Sequence, residues 1–149
     1  MSQFDQIAKA YVQSLGEVLE GFQVDFINPR VLFTKYYYDL IFVTLDGNIP
    51  QEPPIAGGAQ GFTIDKQTFA IEVLTAGEVT ALEEQESTLE NTYHRLKDIQ
   101  ENNGSLLWLK EHYQLDAPTL LRIKKALLQV KFTKKGVIEE LNQLIATHR

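Results

Sequence analysis

The 149-residue chain contains no cysteine. That excludes disulfides, thiolate nucleophiles, cysteine-ligated zinc and iron–sulfur clusters. It agrees with a reducing compartment. No apolar run approaches the roughly 18 residues needed to cross a bilayer, so no membrane span is expected. The opening MSQFDQIAKAY lacks a basic segment followed by an apolar one, so no secretory leader is expected there. Cytoplasmic residence follows as the expectation. There are no internal repeats and no low-complexity segments.

Signatures of chemistry are missing as well. Ser14, Ser87 and Ser105 lack GxSxG surroundings and read as helix or cap residues. His94, His112 and His148 have no second His or suitable Glu one helical turn away, so no metal site is expected. Glu83, Glu84, Glu86 and Glu90 read as one solvated helix face. No cofactor and no catalytic residue is expected.

What is present suits one compact domain, or one with a helical appendage. Hydrophobic residues make up 44% and charged residues 23%, enough to bury a core without staples. The net charge of −6 is unevenly spread. Residues 1–116 hold 18 acidic and 7 basic side chains, whereas residues 117–149 hold 2 and 7. The acidic bulk repels nucleic acid and steers a basic protein partner.

Periodicity gives the element types. FDQIAKAYVQSLGEVLEGF places Phe4, Ile7, Ala8, Tyr11, Val12, Leu15, Val18 and Leu19 on one helical stripe. Ser2 is placed to cap it and Gly21 to end it. Phe22, Val24 and Phe26 alternate as a strand, broken by Asn28-Pro29 as a turn. VLFTKYYYDLIFVTL is long for a strand, which predicts a bend or bulge near Lys35 to Asp39. GFTI and FAIEVL around DKQT read as a hairpin. From Glu78 the pattern turns helical. Gly104 is expected at a helix end, and Ser105, Asp116 and Thr133 at helix starts. Leu120, Leu121, Ile123, Leu127 and Leu128 are expected to form one core face. The resulting fold class is α+β. An N-terminal helix lies on a curved antiparallel sheet of about four strands (residues 1–77), and a C-terminal helical subdomain (78–149) packs on it.

The segment DGNIPQEPPIAGGAQG holds three of five prolines and four of nine glycines, so it is a loop. A phosphate-binding loop needs GxxxxGK[ST] before a helix, and a dinucleotide fingerprint needs GxGxxG opening one. Gly57-Gly58-Ala59-Gln60-Gly61 matches neither, and Phe62-Thr63-Ile64 after it reads as a strand. The glycines from Ala56 to Gly61 therefore serve a bend in the sheet.

AGGAQGFTIDKQT resembles the AGNGP-[apolar]₂-VD[KR]-x-TG segment of a bacterial family. These are the immunity protein 35 group of polymorphic toxin systems, related to the YrhB-like proteins. Gly57, Gly61, Ile64, Asp65, Lys66 and Thr68 stand at matching places. The insertion here is one residue longer, Ala59-Gln60 replaces Gly-Pro, and Phe69 stands where the family has glycine. The likeness covers roughly residues 5–78. It implies cytoplasmic neutralisation of a toxin by direct binding, without catalysis.

The expected contact residues are Tyr36, Tyr38, Asp39, Asp46 and Glu52, a tyrosine-bearing acidic patch facing a basic toxin surface. The alternative is a nucleic-acid-binding regulator using residues 118–147. Its basis is Arg122, Lys124, Lys125, Lys131, Lys134 and Lys135, with no acid among residues 122–135.

Overall fold

A computed structural model describes residues 2–52, 54 and 59–149. The fold is α+β, with an N-terminal helix, a curled five-stranded antiparallel sheet and C-terminal helices. The chain divides into two compact units, 1–84 and 85–149.

In the first unit, α1 (Gln3–Leu15) starts where Ser2 accepts the Asp5 N–H at 3.1 Å, as expected. It ends four residues before Leu19, the last position of the apolar stripe. Gly16 takes a positive φ of 61° and stops it. Glu17–Leu19 then forms a short strand, β1, paired with β2 (Phe22–Val31). Gly21, at φ 84°, belongs to their hairpin and not to a helix end. Gly16 and Gly21, with four residues between them, bracket the short strand and its turn, and this signal outweighs the continuing period.

Asn28-Pro29 is a bulge and not a turn. The β2–β3 register shifts between Ile27 and Arg30, and Asn28 has a φ of 51°. The strand runs on because the bulge absorbs the proline, which has no N–H for the ladder. The long aromatic stretch is likewise divided elsewhere than expected. A turn at residues 32–34, closed by the Leu32 N–H on the Lys35 carbonyl, precedes β3 (Lys35–Thr44). β3 itself runs without a bulge from Lys35 to Asp39 in its pairing with β4.

β4 (Ala59–Asp65) and β5 (Ile71–Thr75) form the expected hairpin, and the sheet order is β1-β2-β3-β4-β5. Asp65 holds the turn by accepting the N–H groups of Gln67 and Thr68 at 2.8 and 2.9 Å. Phe69, where the resembled family has glycine, sits at φ 62°.

The two sheet faces carry different layers. Tyr38, Phe62 and Ile64 meet Ala8 and Val12 of α1, ringed by Phe4, Ile7, Tyr11 and Phe26. On the opposite face Tyr37 and Leu74 pack with Val79 and Leu82. Those last two lie in α2 (Ala76–Asn102), so the first unit extends to Glu84 rather than stopping at 77.

The second unit holds the rest of α2 with α3 (Leu107–Tyr113), α4 (Ala117–Leu127) and α5 (Val137–His148). Its core includes Leu96, Ile99, Leu109, Ile123, Leu127 and Leu141, all at most 1% exposed. The left-handed residue after α2 is Asn103 (φ 54°), not Gly104, whose N–H reaches the Asp98 carbonyl. Asp116 caps α4 through the Thr119 N–H at 2.8 Å, and hydrogen bonding to Thr119, through its side chain first and its backbone N–H second, holds the carboxyl below the usual aspartate value. Only Ile123 and Leu127 of the predicted α4 face are buried. Leu121 and Leu128 point to solvent. Thr133 accepts the Gly136 N–H and binds Glu140, which organises the start of α5.

Gln100 of α2 closes the end of α4. Its amide donates to the carbonyls of Leu127 and Val130 at 2.7 and 2.6 Å. Gln100→Leu should lower the unfolding free energy by about 1–2 kcal/mol, since two part-buried acceptors lose one donor. Urea unfolding followed by Trp108 emission reads this unit directly, because the chain has one tryptophan. An unchanged midpoint would remove the amide's role.

No described helix is long and apolar enough to cross a membrane. Two details of α2 differ from expectation. Glu86 is buried, and Glu90 lies one turn from His94 at 3.9 Å, with both side chains exposed.

Candidate functional site

β3 decides where the expected contact residues go. Successive side chains leave a strand on opposite faces. Tyr36 and Tyr38 therefore turn toward α1, and Tyr37 and Asp39 turn away. Tyr36 is half-buried, stacked on Phe4 at 4.2 Å with the Lys66 ammonium 5.3 Å from its ring centre. Tyr38 is fully buried, stacked on Phe62 at 5.3 Å and edge-on to Phe26 at 5.0 Å. Its hydroxyl donates to Asp5 at 2.9 Å. Tyr38 is enclosed between the sheet and the apolar stripe of α1, whereas Tyr36 keeps part of its ring exposed at the margin of that layer.

Asp39 joins a different group. It pairs with Arg30 at 3.4 Å, and Arg30 also pairs with Glu83 and lies 4.5 Å over the Tyr37 ring. The Tyr37 hydroxyl is buried and makes no hydrogen bond of normal geometry among the described residues. Burial raises its pKa. The nearby Asp39 carboxylate adds to the rise and Arg30 opposes it. Burial likewise raises Tyr38, followed by its bond to Asp5. Both phenols are thus held protonated, as structural groups.

Gly61 explains how Tyr37 fits. Tyr37 pairs with Thr63 and Asp39 with Gly61. A Cβ at Gly61 would overlap the Tyr37 hydroxyl and the Tyr38 carbonyl oxygen, and would stand 2.6 Å from Tyr37 Cζ. The glycine therefore makes room for an aromatic ring across the strand. Gly57 and Gly58 lie outside the described residues, so the bend expected from Ala56 onward is described only from Ala59.

Asp46 and Glu52 are exposed, in the loop after β3. The five expected residues are thus divided among a buried layer, an ion-paired cluster and a loop.

A different feature presents free surface. An open cleft of about 290 Å³ lies between the C-terminal end of α1 and the curled sheet. Tyr11 and Leu15 form one side, Val18 and Leu19 of β1 another. Val24, Leu40 and Phe42 line it from the sheet, with Val73 of β5 at its margin. Leu15, Val18 and Leu19 are 40%, 39% and 41% exposed, and Val73 46%. β1 ends the sheet order, so one of its edges has no strand partner among the described residues. Sequence reading placed Val18 and Leu19 on a helix and missed them. The Gly16 and Gly21 pair was the signal that could have found them.

The rim is acidic. Glu17 and Glu20 flank Val18-Leu19 in sequence and are exposed. Glu17 also accepts the Gly21 N–H at 2.7 Å, which fixes the hairpin. The turn holding Asp46 lies at the same end of the sheet, since Phe22 pairs with Thr44. Gln23 ties that turn down through the Thr44 and Leu45 carbonyls at 3.2 and 3.3 Å. Residues 1–84 carry twelve acidic and four basic side chains.

Among the described residues no three His, Asp or Glu side chains converge as metal ligands. No protein-family model, curated protein or solved structure matches the chain.

Proposed function

We propose that the α+β unit is a protein-binding module of immunity type, which occludes a basic toxin by docking through the cleft between α1 and β1. One observation carries this reading. Three large aliphatic side chains, each about two-fifths exposed, cluster round one open cleft in a unit with an acidic excess of eight. A contiguous apolar patch with a polar rim is the usual build of a protein interface. The acidic rim selects a basic partner. The resemblance around Gly61 to Thr68 agrees with this role.

The mechanism has two parts. Long-range attraction between the acidic unit and a basic toxin surface sets the association rate. Burial of Leu15, Val18 and Leu19 against an apolar projection of the partner sets the lifetime. Tyr36, Tyr38 and Asp39 then support the sheet that shapes the cleft. Asp46 stays in the contact set.

The test uses a toxin encoded beside this chain, co-expressed with it. Leu19→Asp should abolish rescue from killing, while the melting temperature stays close to that of the parent. Glu17→Gln with Asp46→Asn should slow association by about tenfold at low salt and leave dissociation nearly unchanged. Full rescue by Leu19→Asp would remove the cleft from the mechanism.

A further inference from the structure

The helical unit holds a cavity that the proposed docking role does not use. It measures about 300 Å³ and lies between α2, α3 and α5. That is the lower end of the range for small-molecule sites.

Its walls differ in kind. Thr88, Asn91, Thr92 and Arg95 sit at i, i+3, i+4 and i+7 on α2, so one helical stripe is wholly polar. The stripe of Leu89, Leu96 and Ile99 does the packing instead. Trp108 and His112 come from α3, one turn apart, and Ile138 and Leu141 of α5 supply an apolar wall. A helix facing two others would ordinarily bring aliphatic side chains to that seam.

Most of these polar side chains stay open to solvent, with Asn91, Arg95 and His112 exposed. Among the described residues Asn91, Thr92, Arg95, Trp108 and His112 make no side-chain hydrogen bond, and Arg95 makes no ion pair. The Arg95 guanidinium lies 5.5 Å from the Trp108 ring centre. That contact orients the planar fork without occupying its N–H donors. The frame is held in place. The Tyr113 hydroxyl donates to Asn142 at 2.6 Å, and Arg149 donates to the Tyr113 carbonyl at 2.8 Å. Burial raises the Tyr113 pKa, which keeps that donor protonated.

We infer that this cavity binds a small aromatic carboxylate. The carboxylate takes the Arg95 fork, with Asn91 and Thr92 donating beside it. The ring lies on Ile138 and Leu141. A bidentate guanidinium–carboxylate pair supplies both charge and direction. A neutral arene would leave Arg95 without a counter-charge, and a bare inorganic anion would leave the apolar wall wet.

Trp108 is the only tryptophan, so its emission reports this site. The intact protein is titrated with phenylacetate, and separately with 2-phenylethanol and inorganic phosphate. A saturable change in emission is expected with phenylacetate below about 10 mM, and none of comparable affinity with the other two. Arg95→Gln should weaken phenylacetate binding about tenfold or more, with Arg95→Lys between the two. Arg95 is exposed, so both variants should melt like the parent. No saturable change with phenylacetate would overturn the inference. So would equal affinity in Arg95→Gln, or phosphate alone binding as tightly as the aromatic acid.

Discussion

Gly61→Ala is expected to destabilise the α+β unit by about 3 kcal/mol or more, which places it in the tail of single-substitution effects. The new methyl has nowhere to go. It would meet the Tyr37 ring on one side and the Tyr38 carbonyl oxygen on the other. The ring is 1% exposed and held from above by Arg30, so it cannot swing out cheaply. The carbonyl belongs to a paired strand, and moving it breaks the β3–β4 ladder. Amide exchange at residues 37–39 and 62–64 should accelerate in step with the lost stability. Adding Tyr37→Phe should recover little, because only the hydroxyl contact goes. A parent-like exchange pattern in Gly61→Ala would show that β4 can shift at small cost, and the glycine would then have another role.

Tyr38→Ala should cost about 3–5 kcal/mol, the usual range for emptying a buried aromatic site. Tyr38 is fully enclosed and touches Phe26 and Phe62 as well as Asp5 of α1. Removing it opens a cavity where the helix meets the sheet. Tyr38→Phe keeps the ring and loses one hydrogen bond, so about 1 kcal/mol is expected. The pair of variants separates packing from polarity. Alkali gives a second readout. Burial raises the folded-state pKa of Tyr37 and Tyr38 above the ordinary value of 10.0. Both groups therefore contribute fully below pH 10, and their contribution falls as pH rises beyond it, because the unfolded chain releases those protons first. Tyr38→Phe should make the alkaline loss of stability shallower. An identical slope would mean that Tyr38 ionises normally in the folded protein.

The buried state of Tyr38 also shows where sequence reading reaches its end. Alternation along residues 36–42 places Tyr36, Tyr38, Leu40 and Phe42 on one side, and this holds. Alternation does not state which side a helix covers. The stripe of Phe4, Ile7, Ala8 and Val12 required some face, and the aromatic one was the best fit. Asp39 shows the same gap. Its partner Arg30 lies 9 positions away and pairs in turn with Glu83, 53 positions further along, and no local pattern connects the three.

By itself the sequence determined the α+β class, a hairpin turning around Asp65 to Thr68, the caps Ser2 and Asp116, and the absence of thiol chemistry. These depend on neighbours a few residues apart, where period, caps and turn residues act directly. Tertiary structure decided that Gly61 makes room for a ring, that Glu17–Leu19 is a strand beside an open cleft, and that Arg95 meets Trp108 over a cavity. Each of these needs surfaces from segments distant in the chain to close on one another, and side-chain volume and charge settle that only once the sheet and the helices have packed.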